Sequence, residues 1–345
     1  MNVVRYSRIL IHDAPGERRA VLLDARGRPC RLFIERWGGV GEPARYGSVH
    51  EARLRAFADP IGGAFLELES GEEAFLRLKD RNGLTQGARM LVEIVSEARE
   101  DKLARVIQSA REPNSMDAWT SWLSDFDLSE PPQEKGDNEA VAAAFDEALS
   151  PSITMPDGGQ LHIDRTRALT AFDIDTSGRM QKGSAGARAL AVNKDAAREM
   201  ARQVSLRGLG GNMVLDCVAP LNKAANEQLK ATAETAFKAY DIPGIKVLRP
   251  SPLGLMEASA PWRYAPIEDR LMTIPGETEL LDLFRAVQRE AAANPSALFE
   301  LTLSKPARTA YLDRQAEAKT ELAHHFGGRV SIAETVADKS GMRKR

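Results

Sequence analysis

The sequence has few cysteines, no long apolar run and almost no net charge. Its 345 residues include 2 cysteines, Cys30 and Cys217, which are too far apart for a CxxC metal motif. This excludes a disulfide framework and argues against a zinc site, as is typical of a protein in a reducing compartment. No stretch approaches the roughly 18 apolar residues of a membrane span, and Arg5 and Arg8 interrupt the apolar run that a signal peptide would need. We therefore expect a cytoplasmic protein with no membrane partner.

The charges nearly cancel, but they are unevenly distributed. The chain has 47 Lys+Arg and 49 Asp+Glu, a formal net charge of −2. Residues 1–55 contain 11 Lys/Arg and 6 Asp/Glu, whereas residues 117–150 contain 1 and 9. This balance excludes a protein that attracts polyanions through its overall field. Any contact with nucleic acid must therefore come from local basic faces.

Turn residues and apolar periodicity divide the chain into units. Short strands separated by Gly, Pro and Asn turns predict a small closed or nearly closed barrel of the OB type with about five strands. After residue 140, strands and helices alternate, which is typical of an α/β domain. The expected units are an N-terminal hairpin (1–46), the barrel (47–110), an acidic linker (111–138), an α/β domain (139–265) and a small α+β domain (266–345).

Three further patterns make local predictions. The apolar spacing after Asn193 predicts a helix over 193–207, with Gly208 as its C-terminal cap. The run 306–325 predicts one helix, and the run 342–345, with its three basic residues, predicts a solvated tail.

Carboxylates at the ends of two apolar strands are the most informative feature for chemistry. Asp173 and Asp175 are two residues apart and face the same side of a strand, and Asp216 follows the apolar run Val214–Leu215. Three carboxylates at one sheet edge would suit Mg²⁺, or Mn²⁺ in its place, which can activate water at a phosphoryl centre. The alternative is that these residues only cap loops and a helix.

Basic and aromatic residues suggest contacts with nucleic acid. Arg179 and Lys182 lie in a glycine-rich loop after the first acidic strand, where they could contact a phosphodiester backbone. The alternative is a flexible solvated loop.

The predicted barrel carries Phe65 and Phe75 on strands, with Arg53 and Arg77 nearby. Barrels of the OB type bind single strands by stacking bases on such aromatic side chains beside cations. The alternative is that both phenylalanines belong to the core of the barrel.

The blocks GGQLHIDRTRALTAFDIDTSGR (158–179), NKDAAREMARQVSLRGLGGNMVLDCV (193–218) and SPLGLMEAS (251–259) closely resemble the catalytic region of the ribonuclease E/G family. GAFLELESGEEAFLRL (63–78) resembles the RNA-binding barrel of that family. The resemblance implies an α/β fold with a ribonuclease H-like and DNase I-like catalytic core, an inserted barrel and a small C-terminal domain. The hairpin at 1–46 would be the first part of that core.

The resemblance also implies an activity and roles for individual residues. The activity is metal-dependent hydrolysis of single-stranded RNA, with 5′-phosphate and 3′-hydroxyl products. Asp173 and Asp216 match the two catalytic, metal-binding aspartates, and Asp175 takes the place of an asparagine that helps to hold the metal. The residues that match RNA contacts of the family barrel are Phe65, Phe75 and Lys102.

The sequence departs from the family pattern in two large features. The region of the 5′-monophosphate sensor is short and acidic, and the zinc-binding CPxC segment that joins subunits is absent from this sequence. If the protein is a homo-oligomer, we therefore expect assembly without a zinc link. Two other functions stay open: a non-catalytic RNA-binding protein that retains the fold, and a nuclease that cleaves DNA.

Overall fold

The computed structural model describes residues 6–39, 42–81, 83–100, 102–113, 117–124, 138–179, 183–272 and 276–345, and the backbone of 133–135. These parts form a mixed α/β protein. None of the helices in the described ranges is both long and apolar enough to cross a membrane.

The strands are β1 (Arg8–Ala14), β2 (Glu17–Leu23), β3 (Pro29–Arg36), β4 (Val49–Ala58), β5 (Gly63–Leu68), β6 (Glu73–Arg77), β7 (Arg89–Ser96), β8 (Ala104–Gln108), β9 (Gln133–Lys135), β10 (Ser152–Thr154), β11 (Gln160–Arg165), β12 (Leu169–Asp175), β13 (Gly211–Asp216), β14 (Lys246–Val247), β15 (Leu255–Ala260), β16 (Phe299–Ser304), β17 (Val330–Ala337) and β18 (Gly341–Lys344). The helices are α1 (Ala118–Ser124), α2 (Asn138–Leu149), α3 (Ala185–Arg207), α4 (Lys223–Ala239), α5 (Ile267–Met272), α6 (Glu277–Ala293), α7 (Lys305–Asp313) and α8 (Gln315–Phe326).

The strands from β4 to β8 form a closed barrel. Its strand order is β4-β5-β6-β8-β7, with β6 and β8 paired in parallel. The prediction of a five-stranded barrel is confirmed. Alternate side chains fill the interior, and those between them face outward, where a ligand can reach them. The interior side chains include Leu54, Leu66, Leu76, Ile94 and Val106.

A six-stranded sheet forms the centre of the α/β part. Its order is β10-β11-β12-β13-β15-β14, and β12 and β13 pair in parallel. Phe172 and Leu215 are buried in the same cluster as Met200 of α3 and Leu229 of α4, so these two helices cover one face. The opposite face of the sheet carries the polar side chains described below.

The helix α3 begins eight residues earlier than the sequence predicts. The Ser184 side chain accepts a hydrogen bond from the Ala187 N–H, and this N-cap starts the helix at Ala185. Gly186 and the neighbouring basic residues favoured a loop in the sequence, but the cap and the packing of the helix outweigh that preference. The predicted C-cap is confirmed, because Gly208 ends the helix with a φ of 70°.

The N-terminal sheet has the order β3-β2-β1-β9. The predicted hairpin is formed by β2 and β3, and β1 is a further strand that the sequence analysis did not predict. Strand β9 pairs in parallel with β1, so part of the predicted linker belongs to this sheet. Helix α1, in the same predicted linker, packs on β3 through Trp119 and Trp122, whose ring centroids lie 5.1 and 5.4 Å from that of Phe33.

The C-terminal unit has a three-stranded sheet in the order β17-β16-β18, packed against α6, α7 and α8. The prediction of one helix over 306–325 is wrong, because α7 and α8 are separate helices with Arg314 between them. The side chains of 343–345 are exposed, as the predicted solvated tail requires, but the backbone of this run is the strand β18, which pairs antiparallel with β16. The backbone of 341–344 forms an edge strand of this sheet, and the charge of the run did not predict that pairing.

A buried group of charges joins the N-terminal sheet to the C-terminal unit. The Glu17 carboxylate accepts hydrogen bonds from Nε of Arg19 at 2.6 Å, from Nε of Arg36 at 3.0 Å and from Arg285. Arg36 also donates to Glu277 at 2.7 Å. Burial alone would raise the pKa of Glu17, but the three guanidinium groups lower it. We call these five residues the Glu17 cluster.

Candidate functional site

Asp173 and Asp216 lie on the open face of the six-stranded sheet. Phe172 and Leu215 are register partners on the parallel strands β12 and β13 and point into the core. The next residue on each strand is an aspartate, and both aspartates are exposed on the other face. The two carboxylates therefore project side by side from neighbouring strands into solvent, as their position at two strand ends predicted.

The backbone beyond Asp216 is held in place by a buried side chain of α3. The Asn193 amide donates to the Val218 carbonyl and accepts from the Val218 N–H, both at 2.9 Å. The Cys217 N–H donates to the Gly254 carbonyl at 3.0 Å. Burial raises the pKa of the Cys217 thiol to about 12, so this side chain is protonated at neutral pH. These contacts fix the strand end that presents Asp216.

Asp175 is on the same face of β12 but interacts with its own loop. Its Oδ1 accepts a hydrogen bond from the Ser177 N–H at 2.8 Å. Hydrogen bonds from the Ser177 side chain and backbone lower the pKa of Asp175. Within the described ranges, no three His, Cys, Asp or Glu residues are grouped as metal ligands. A metal contact by Asp175 therefore stays a prediction.

The predicted basic loop is partly described. Arg179 is paired with Asp195 of α3, its side chain is 4% exposed, and its Nη1 donates to the Gly158 carbonyl at 3.3 Å. In this structure the guanidinium joins the loop to α3, and an RNA contact by Arg179 stays a prediction. Lys182 lies outside the described residues.

The two barrel phenylalanines are adjacent on the outer surface. Phe65 of β5 and Phe75 of β6 are register partners, and their ring centroids are 5.7 Å apart at an interplanar angle of 63°. Both side chains are half-buried, so part of each ring is accessible. Arg105 of β8 is the register partner of Phe75 and is exposed. Arg105 was not among the predicted RNA contacts, although its place between Ala104 and Val106 in an alternating strand indicated an outward side chain.

The predicted basic residues of the barrel lie around this aromatic pair. Arg53 is opposite Glu67 on β5, and Arg77 is opposite Gly63, and both arginines are exposed. Lys102 is also exposed, but it lies at a cavity between the barrel and the sheet and not beside the phenylalanines. The cationic residues thus mark two places, the outer barrel surface and the junction with the sheet.

The segment that contains this geometry matches a family model. The model of the ribonuclease E/G family matches residues 69–260, which is more than half of the chain and includes the strands β6 to β15. The chain belongs to the ribonuclease E/G family. Asp173, Asp175 and Asp216 all lie inside the matched segment, as does Phe75.

Individual relatives in the ribonuclease E/G family align over shorter parts. Ribonuclease E of Haemophilus influenzae is 33% identical over 119 residues, which is 34% of this chain and 13% of the relative. Ribonuclease E of Escherichia coli is 37% identical over 78 residues, 23% of this chain and 7% of the relative. Ribonuclease G of Salmonella typhimurium is 26% identical over 196 residues, 54% of this chain and 40% of the relative. The aligned part of the chain therefore covers between 7% and 40% of the length of these three relatives.

Proposed function

We propose that this protein is an endoribonuclease that hydrolyses phosphodiester bonds in single-stranded RNA. The observation that carries the proposal is the pair of exposed carboxylates, Asp173 and Asp216, on adjacent strands inside the segment that matches the family. The pair lies on an open sheet face and not in a closed pocket, so a polymer can cross it. The names of the relatives support RNA as the substrate.

The donor set suits a divalent cation. Two carboxylates supplemented by water satisfy Mg²⁺, which commonly binds through one or two carboxylates together with oxygen atoms of a phosphate substrate. Asp173 and Asp216 would hold the ion, and Mn²⁺ could replace it. Such an ion lowers the pKa of bound water and neutralises charge at the phosphoryl group, and the expected products carry a 5′-phosphate and a 3′-hydroxyl.

The chain itself supplies position and binding. Asn193 fixes the backbone after Asp216, which limits the movement of that carboxylate relative to Asp173. Phe65 and Phe75 offer ring surface for stacked bases, and the exposed guanidinium of Arg105 lies beside them to attract the phosphate backbone.

The test is incubation of a single-stranded RNA with the purified protein, with and without Mg²⁺. Wild type should cleave only with the ion, and Asp173→Asn should reduce the rate by at least 100-fold, since such a loss equals about 2.7 kcal/mol of transition-state stabilisation. Asp164→Asn is the matched control, because Asp164 is an exposed carboxylate on the neighbouring strand β11 of the same sheet. It should cleave like wild type.

Two results would contradict the proposal. Cleavage by Asp173→Asn at the wild-type rate would remove this carboxylate from the chemistry. Tight RNA binding with no cleavage by wild type, in Mg²⁺ or Mn²⁺, would favour the non-catalytic RNA-binding protein instead. A matched DNA strand in the same assay distinguishes a ribonuclease from a DNA nuclease.

A further inference from the structure

A small cavity lies where the barrel meets the six-stranded sheet, away from the carboxylate pair. Its volume is about 150 Å³, and its walls come from the segments around Arg99, Arg167, Asn212 and Trp262. Asn212 starts the exposed face of β13, and Asp216 ends it. At ~3.3 Å per residue the two are about 13 Å apart along the strand.

Trp262 forms the aromatic wall of this cavity. The Arg99 guanidinium lies over its ring, 4.4 Å from the ring centroid. A Cβ atom on Gly211 would lie 2.7 Å from Nε1 of Trp262, and one on Gly210 would lie 3.0 Å from its Cδ2. The indole thus rests directly on a backbone that has no room for side chains, and it is only half-buried.

The charge around the cavity favours an anion. Its lining has four cationic side chains, those of Arg99, Lys102, Arg165 and Arg167, and two acidic ones, Glu100 and Asp269, which both pair with Arg165. Arg167 is exposed in the turn between β11 and β12, which is closed by a 2.9 Å hydrogen bond from the Thr166 N–H to the Leu169 carbonyl. The turn holds a cation at the rim of a cavity that has an aromatic wall.

We infer that this cavity is a nucleotide subsite for the RNA strand, in which a base stacks on the outer face of the Arg99 guanidinium, which lies on the Trp262 ring, and Arg167 contacts a phosphate. The inference rests on the proposed function for the identity of the polymer. Unpaired bases of a single strand stack on guanidinium planes as well as on aromatic rings, and the indole holds this guanidinium in place. The distance of about 13 Å to Asp216 exceeds the ~3.4 Å rise of one stacked nucleotide, so the subsite holds a nucleotide several positions from the cleaved bond.

The test separates stacking from charge. RNA binding is measured by fluorescence anisotropy in EDTA, so that no cleavage occurs, at several salt concentrations. Trp262→Leu should weaken binding about tenfold, equal to about 1.4 kcal/mol, and leave the salt dependence unchanged. Trp262→Phe should retain most of the affinity. Arg167→Gln should reduce the slope of log K against log salt by about 0.7, the value for one phosphate contact in a single strand.

Substrate length gives a second readout. RNAs of about 4 and about 16 nucleotides span the usual site sizes of such grooves. Trp262→Leu should weaken binding of the longer RNA much more than that of the shorter one, which cannot reach both the barrel and the sheet. Lys319→Gln on α8, an exposed change far from the cavity in sequence, is the control and should alter neither binding nor its salt dependence.

The outcomes distinguish the subsite from the proposed activity. If Trp262→Leu and Arg167→Gln are folded and bind both RNAs like wild type, the subsite is wrong, and the Arg99–Trp262 contact only joins the barrel to the sheet. Cleavage by wild type would then still support the nuclease. If wild type does not cleave but the two variants lose affinity as described, the subsite stands and the catalytic proposal fails.

Discussion

At the scale of single residues, the Asp175 carboxylate is distinguished by a hydrogen bond within its own turn, from the Ser177 N–H. The hydrogen bond from the Ser177 N–H to Oδ1 closes a short turn after β12. An asparagine could accept the same hydrogen bond through its amide oxygen, since both side chains offer a carbonyl-type acceptor. The turn therefore tolerates either residue, and the difference between them is the charge.

Asp175→Asn should remain active at saturating Mg²⁺ but need more of the ion for half-maximal rate. A carboxylate close to the Asp173–Asp216 pair adds negative charge that attracts a hard cation, and an amide does not. The measurement is a Mg²⁺ titration of the cleavage rate for both proteins at one pH and ionic strength. An unchanged half-maximal concentration would place Asp175 outside the influence of the metal.

Glu17→Gln should destabilise the protein by about 3 kcal/mol at neutral pH, because it leaves buried guanidinium groups without their anion. The pKa of Glu17 is lowered in the folded state. Its stabilising contribution is therefore complete above the unfolded pKa, near 4.5, and is lost as the pH falls through the lower folded pKa. Urea unfolding at pH 7 and at progressively lower pH measures the difference between the proteins.

A matched control for this change is Glu317→Gln, which affects a surface pair between the exposed Glu317 and the half-buried Arg314 at 3.6 Å. Exposed pairs contribute about 0–1 kcal/mol. Equal effects of the two substitutions at pH 7 would show that the Glu17 cluster does not stabilise the fold.

At the scale of elements, the position of the Phe75 ring on the outer surface of the barrel depends on how β5 and β6 pack against each other. A Cβ atom on Gly63 would lie 2.3 Å from Cζ of Phe75 and 2.5 Å from the Leu76 carbonyl oxygen. The Phe75 ring therefore lies across the start of β5, where a larger residue has no room. The absence of a side chain at Gly63 fixes the orientation of an aromatic ring proposed to bind RNA.

Gly63→Ala should cost about 1–3 kcal/mol of stability, because the added methyl group forces Phe75 or the strand backbone to move. It should also weaken RNA binding, since the displaced ring no longer lies beside Phe65. Thermal unfolding and anisotropy of a labelled RNA measure the two effects. Gly328→Ala, where the added Cβ meets nothing within 4 Å, is the control, and a Gly63→Ala protein that matches it in both assays would refute this arrangement.

At the scale of the whole molecule, the short segment between barrel and α/β part is used for structure. Its helix α1 stacks Trp119 and Trp122, with ring centroids 5.4 Å apart, against Phe33. Its strand β9 extends the N-terminal sheet. The described helix and strand of this segment therefore join the N-terminal sheet.

We accordingly expect cleavage to be indifferent to the RNA 5′ end. A sensor for a terminal phosphate relies on charge-assisted hydrogen bonds, and the segment 117–150 has a single Lys/Arg residue. Substrates that differ only in a 5′-monophosphate or a 5′-hydroxyl should be cut at rates within about threefold. A difference of one decade, or ~1.4 kcal/mol, would show that another part of the protein recognises the end.

The features that were predicted correctly from the sequence are those that depend on local periodicity. The barrel strands and the Gly208 cap follow from neighbouring residues, and so do the positions of Asp173 and Asp216 at strand ends. Pairing between distant segments does not follow from local pattern, and for this reason β9 beside β1 and β18 beside β16 were missed. The stack of Arg99 on Trp262 was missed for the same reason, because residues from separate units form it.

The Glu17 cluster has a consequence for the order of events during synthesis. Glu17 and its partner Arg285 are 268 residues apart in the chain. At a translation rate of ~5–20 residues per second, roughly 10 to 50 s pass between the emergence of the two. During that interval the nascent N-terminal sheet carries the Glu17 carboxylate with two of its three arginines. Glu17 therefore gains its full set of partners only when the C-terminal unit is complete.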